Sequence, residues 1–261
     1  MQNSKKGLVP FRHGIPLSND QRPKTLEEEN MIRQVPYASA MGSLMYVMLC
    51  TKLDICYSVG IVNRYQSNPR PKHWQAVKHI LKYLRRTRDY ILVYRCENLI
   101  PIGYIDLNFQ SDLDFRNSTP GCVFILGGGA ISWRSVKQSC ITDSTMEAEY
   151  VATCEATKEA VWLKKFLSDL GVMRIEQVPI TLFCDNSRVV AQSKDPRNHK
   201  KRKYMERKYH IIRDIVARGD VVVAKIDSAN NLANLFTKTL SQRIFESHLE
   251  GMRVRLVHNS L

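Results

Sequence analysis

No Cys-x-x-Cys pair occurs anywhere in this sequence; its seven cysteines, Cys50, Cys56, Cys96, Cys122, Cys140, Cys154 and Cys184, are scattered and odd in number. That pattern argues against a disulfide framework and against a zinc site. Long apolar runs are missing as well. The longest, residues 44–50, is far shorter than the roughly 18 to 20 residues of a membrane span, so it reads as core and no membrane partner is expected. The N-terminus, Met1-Gln2-Asn3-Ser4-Lys5-Lys6, has no apolar signal core. The expectation is therefore a non-secreted protein in a reduced cytoplasmic or nuclear setting. Internal repeats and low-complexity tracts are absent, and the seven histidines show no ligand spacing. Acids are scarce beside bases, 25 against 39, which leaves a formal charge of +14. A charge of that sign attracts polyanions, with nucleic acid and acidic membrane surfaces the usual candidates. The hydrophobic fraction of 44% over 261 residues is that of a folded chain, with room for one large domain or two modest ones.

Residues 1–36 carry little periodicity, are broken by Pro10, Pro16, Pro23 and Pro36, and read as an extended lead-in with at most a short helix at Glu27-Glu28-Glu29. Helical spacing begins at Tyr37 with Met41, Leu44, Met45, Met48 and Leu49. It resumes at Ile55, Val59 and Val62 after a turn near Thr51-Lys52-Leu53-Asp54. Pro71 opens another helix in the first-turn position that proline tolerates, with Trp74, Val77, Leu81 and Leu84 as the expected buried stripe. Lys78, Lys82, Arg85, Arg86 and Arg88 load its other face, either as a solvated surface or as one that meets phosphates. These helices make a segment over residues 37–97.

From Tyr90 the pattern changes to strands, expected at 91–94, 102–107, 121–126 and 130–133, in an antiparallel meander whose last hairpin turns at Gly127-Gly128-Gly129. A long helix over 144–170 ends at Gly171. A strand at 179–184, a helix at 188–193, a helix marked by Met205, Tyr209, Ile212 and Val216, a strand at 221–226 and a last helix at 232–240 follow. This order implies an α/β fold with one mixed sheet and helices packed on its faces, placed at residues 98–242. The remaining 243–261 read as a polar tail in which Ile244, Phe245 and Leu249 could anchor a helix. Trp133 and Trp162 fit core positions.

Three acids stand where acids are expensive: Asp106 inside an apolar strand, Glu149 near the start of the long helix, and Asp185 at a strand end. From Glu149 the positions three and four apart are Ala152, Ala156, Ala160, Leu163 and Leu167, one narrow apolar face that can lie close on a sheet. Glu147 leads instead to Val151, Cys154, Lys158 and Lys165, a mixed stripe expected at the surface, so Glu149 is the inward acid. A core-facing charge must be compensated. Singly, each acid reads equally as a sheet-edge residue, and Asp185 as a helix cap. Together they suit hard cations such as magnesium, two of which about 4 Å apart can clamp the attacking and leaving oxygens of a phosphodiester displacement.

Several linked motifs, covering roughly residues 10 to 240, resemble the ribonuclease H region of copia-type retrotransposon Pol polyproteins. They are Gly103-Tyr104-Ile105-Asp106, Ser118-Thr119-Pro120-Gly121, Ile131-Ser132-Trp133, Ser144-Thr145-Met146-Glu147-Ala148-Glu149-Tyr150, Cys184-Asp185-Asn186 and Phe236-Thr237-Lys238. The run from Pro36 to Tyr46 is similar to the tether that joins reverse transcriptase to ribonuclease H in those polyproteins. The resemblance implies a ribonuclease H-like mixed five-stranded sheet with helices on both faces, preceded by a helical connection. It implies cleavage of the RNA strand of RNA–DNA hybrids with two Mg2+ ions, Mn2+ able to substitute, held by Asp106, Glu149 and Asp185, and an upstream reverse transcriptase domain as a partner. The family's fourth aspartate, in an Ala-Asp-x-x-Thr-Lys pattern, is Asn234 here. Its second aspartate and tryptophan near Asp106 are Asn108 and Phe109, and its His-Ile-Asp is Tyr204-Met205-Glu206. Asn234 keeps an oxygen ligand but loses a charge, so the implied activity is weakened, and a binding module without turnover is the alternative. The paired aspartates of a polymerase palm are absent, which excludes reverse transcription by this segment.

The remaining candidate is basic: Lys200, Lys201, Arg202 and Lys203, continued by Arg207 and Lys208. Such a run is a nuclear address, a solvated loop or a wall that grips phosphates beside the acids.

Overall fold

The computed structural model describes residues 7–12, 14, 17–21, 25–95, 99–139, 142, 144–171, 178–194 and 203–257, with the side chains of 203–209 excepted. Helices α1 (Leu26–Arg33), α2 (Tyr37–Cys50), α3 (Cys56–Asn63) and α4 (Pro71–Arg86) come first. Strands β1 (Tyr90–Leu92), β2 (Ile102–Asn108), β3 (Thr119–Leu126) and β4 (Gly129–Ser135) follow, then α5 (Thr145–Asp169), β5 (Ile180–Cys184), α6 (Ser187–Lys194), α7 (Lys203–Ala217), β6 (Val221–Lys225), α8 (Gln242–Gly251) and β7 (Val254–Leu256).

Five strands form one mixed sheet in the order β4-β3-β2-β5-β6. The meander β2-β3-β4 is antiparallel, and β5 runs parallel to both β2 and β6. Alternation along β3 divides the interior. Phe124 faces α5 and packs with Ile105, Leu182, Ala152, Ala156, Ala160 and Leu163. Val123 and Ile125 face the other way, into a core shared with Met41, Leu44, Val59, Val62, Val77 and Ile80 of the first helices. Helices therefore lie on both faces of the ribonuclease H-like sheet, as the sequence implies.

The alanine stripe of α5 is buried along its whole length, and Leu163 and Leu167 with it. Ser144 caps this helix by accepting from the Glu147 amide, and Gly171 ends it with φ at +66°, a left-handed conformation glycine adopts without strain. Four expectations need correction. Residues 91–94 do not open the meander: β1 pairs antiparallel with β7 in a separate two-stranded sheet, because Val254–Leu256 supplies an edge that the tail was not expected to have. The helix expected at 232–240 is a short 3-10 turn, Leu232–Phe236, capped by Asn231, whose side chain accepts from the Ala233 amide; the regular helix of this region is α8. Trp162 is 56% exposed and stacks on Phe166 with ring centroids 5.1 Å apart, since it lies off the alanine face that meets the sheet. Val151 and Cys154 are buried with Ile212 of α7, so the stripe below Glu147 is covered by a second helix rather than by water. On α4 the buried line runs through His73, Ala76, Val77, Ile80 and Tyr83, with Trp74, Leu81 and Leu84 half-buried beside it. No helix among the described residues is long and apolar enough to cross a membrane.

Candidate active site

Pairing of β2 with β5 sets two of the acids side by side. Ile105 is in register with Cys184, so Asp106 on β2 and Asp185, the residue just past the end of β5, come next along neighbouring parallel strands. Glu149 enters from the first turns of α5. Burial pushes its carboxyl up to about 7; hydrogen bonding with Asn186 opposes the rise, and the negative charges of Asp185 and Asp106 add to it. Glu149 and Asp185 line one open depression of about 490 Å³ with Thr145, Met146, Asn186, Ser187 and Arg188.

Each acid has its own neighbours. Asp106 is buried, accepts a short hydrogen bond from the Thr237 hydroxyl, and has Lys238 Nζ 3.2 Å from its Oδ2. Asp185 Oδ2 accepts from Ser228 Oγ at 2.6 Å. The capping role open to Asp185 falls to Asn186, whose Oδ1 accepts from the Arg188 amide at 2.8 Å. Asn234 sits on the 3-10 turn and donates from Nδ2 to the Ser228 carbonyl at 2.6 Å. Asn231 ties the same turn to β2, donating to the Ile105 carbonyl at 2.8 Å. Asn108 donates to the Thr237 carbonyl at 3.1 Å, so one residue that departs from the family pattern helps to dock the turn.

Ser228, Thr237 and Lys238 hold the acids, roles that the sequence did not disclose. Thr237 and Lys238 belong to one of the motifs above, but only folding places them over Asp106, 131 residues away from Thr237 in sequence. Lys200, Lys201 and Arg202 lie outside the described residues. Lys203, Arg207 and Lys208 are on α7, with their side chains outside the described set.

Among the described residues no three His, Cys, Asp or Glu side chains stand close enough, as placed, to form a metal-binding group. The donor chemistry nevertheless fits a hard divalent cation: three carboxylates come from neighbouring elements, β2, the end of β5 and the start of α5, and the charges of Asp106 and Asp185 both reach Glu149. Among the described residues, Glu149 Oε2 and Asn234 Oδ1 are both buried and find no hydrogen-bond partner. Buried oxygens left that way are costly unless a cation or donor meets them.

A retrovirus-related Pol polyprotein from transposon TNT 1-94 of Nicotiana tabacum is 41% identical over 254 residues, 97% of this chain. The chain belongs to the copia-type Pol polyprotein family. It spans 19% of the length of that tobacco polyprotein. A secreted RxLR effector protein of Plasmopara viticola is 44% identical over 133 residues, 51% of this chain and 94% of its own length. Among solved structures, LC11-RNase H1 isolated from compost is 19% identical with a TM-score of 0.40, covering 58% of this chain and 99% of that one. No protein-family model matches the chain.

Proposed function

We propose that this copia-type Pol segment is a ribonuclease H with its tether, hydrolysing the RNA strand of RNA–DNA hybrids in the presence of divalent cations. The observation that carries the reading is the approach of Asp106, Glu149 and Asp185 from a strand centre, a helix start and a strand end, with the Glu149 carboxyl raised partly by the other two. Asp106, Glu149 and Asp185 would hold two Mg2+ ions, or Mn2+, with Asn234 contributing a neutral oxygen. When bound, such ions activate water and neutralise charge on the phosphodiester. The chain's own residues do the positioning. Thr237 fixes the Asp106 carboxylate, Ser228 orients Asp185, and Glu149 can hold or release a proton near neutral pH. Water then attacks phosphorus in line as the sugar oxygen on the opposite side departs. The basic run at Lys200, Lys201, Arg202 and Lys203, with Arg207 and Lys208, would grip backbone phosphates. The tether over 37–97 would join this unit to an upstream reverse transcriptase domain, in the cytoplasm or nucleus.

A labelled hybrid incubated with the purified chain tests the reading. Cleavage of the RNA strand that stops in EDTA is the expected result, and an intact hybrid in both magnesium and manganese would sink it. A second reading, a nucleic-acid-binding remnant without turnover, draws on Asn234 standing where relatives carry an acid and on Lys238 already sitting on Asp106. It predicts hybrid binding that weakens steeply with salt, and no cleavage by either the parent or Asn234→Asp.

A further inference from the structure

We propose that Lys238 is a built-in counter-cation that holds Asp106 in the cation-free chain and competes with divalent ions for its carboxylate. The inference deepens the metal-dependent reading above and rests on the same acids.

Asp106 is the most enclosed of the three acids, with its side chain only 5% exposed. A carboxylate so placed must be met by positive charge or strong donors. Two consecutive residues meet it on one oxygen: the Thr237 hydroxyl and the Lys238 ammonium both address Oδ2. Lys238 is itself 39% exposed, so its head group can leave toward solvent without unfolding anything. Lys238 also lines a narrow cleft beside Asp54, but that buried aspartate is already held by the Tyr83 hydroxyl at 2.6 Å, so solvent is the open direction.

The lysine reaches the site because the 3-10 turn at Leu232–Phe236 ends there. Asn231 pins the turn to the Ile105 carbonyl, one residue before Asp106, and the Asn234 carbonyl accepts from the amides of Thr237 and Lys238. The position of Lys238 is therefore set by backbone rather than by a free side chain. Asn234 adds no negative charge beside it. The site thus has a neutral fourth residue, Asn234, and one acid paired with an ammonium. An incoming divalent ion that takes Oδ2 meets the ammonium there, and one on Oδ1 still meets its charge, so cation binding at Asp106 competes with Lys238.

The test uses the full chain and manganese alone, with no nucleic acid. Lys238→Gln should melt lower than the parent in EDTA, and that gap should close when both chains carry Asp106→Asn. Calorimetric titration should find Mn2+ binding to Lys238→Gln roughly three- to tenfold tighter than to the parent, the size of a modest ion pair. Lys238→Arg should behave as the parent in both measurements. Equal or weaker Mn2+ affinity in Lys238→Gln overturns the competition, as does the absence of binding to either chain. A melting gap that persists with Asp106→Asn overturns the counter-cation role. The hydrolase reading fails separately: if no hybrid is cut while Lys238→Gln gains Mn2+ affinity, only that reading falls. If cleavage is intact and the affinity gain is missing, only this inference falls.

Discussion

Asn234 donates to the Ser228 carbonyl at 2.6 Å, and an aspartate in its place could not. Asn234→Asp would set a carboxylate against a carbonyl and add a fourth negative charge among buried acids. Its metal-free stability should fall by about 1–3 kcal/mol, read as the urea midpoint in EDTA. In magnesium the loss should shrink and hybrid cleavage should rise, because the added charge is one a divalent ion can use. Glu149 gives the opposite trade. Its carboxyl ionises near 7 in the folded chain against an ordinary 4.5, so between those values the folded chain keeps a proton that the unfolded chain has released. Stability from this group therefore falls as pH rises through that window. Glu149→Gln should stabilise the metal-free chain at pH 8 by about 1–3 kcal/mol, a range set low because solvent reaches part of the carboxyl, while abolishing cleavage. Denaturant curves at pH 5 and pH 8 decide it: a difference from the parent that does not grow with pH would remove the coupling argued for this site.

At the scale of elements, the 3-10 turn and β3 fit only because Gly121 has no side chain. A Cβ there would lie 2.6 Å from Phe236 Cβ and 2.7 Å from Thr237 Cγ2. Gly121→Ala should cost about 1–3 kcal/mol by overpacking and push Thr237 and Lys238 off Asp106, so cleavage should fall more than stability alone accounts for. Helix α4 has a similar lock. Buried His73 accepts from the Arg70 amide at its N-terminus, faces the Ser18 carbonyl and stacks on Tyr65 at 3.9 Å. Burial lowers its pKa to about 4 from 6.5, so its contribution is complete above 6.5 and is lost as pH falls towards 4. The parent should lose up to about 3 kcal/mol more than His73→Gln across that range, measured by urea unfolding at pH 7 and pH 4.5. Periodicity disclosed α5 and its alanine face because one period governs 25 residues of a single helix. It could not disclose the β1–β7 pair, whose strands are three residues each and far apart in sequence. Nor could it separate a 3-10 turn from a helix over five residues. The acids were legible as charges in apolar runs. Their supporting donors were not, because Ser228, Thr237 and Lys238 are ordinary polar residues until the chain brings them to Asp106 and Asp185.

Across the whole molecule the expected boundary near residue 97 is crossed by a continuous core. Met41, Val59, Val62, Val77 and Ile80 of the first helices share one interior with Val123, Ile125, Leu235 and Phe236 of the sheet and its turn. Polar ties cross as well: Arg64 donates to Thr119 Oγ1 at 2.9 Å, Trp133 donates to the Met48 carbonyl at 3.0 Å, and Arg86 pairs with Glu246 at 2.7 Å. Lys238, which rests on Asp106, lines a cleft that Asp54, Tyr57 and Ser58 of the first helical segment also line, so the candidate site borders this interface. A chain cut to residues 98–261 would expose one face of β3 and β4 and release the partners of Phe236, loosening the turn that carries Asn234, Thr237 and Lys238. Calorimetry of the full chain should show one cooperative transition. The truncated chain should keep much of its helical and strand signal while binding a hydrophobic dye and melting without a sharp transition, the behaviour of a collapsed state without fixed packing. Its Mn2+ affinity should be lost with that packing, because the ligands would no longer be held in place. Two separate transitions in the full chain, or sharp melting of residues 98–261 alone, would show instead that the tether is an independent unit and that the site needs nothing from it.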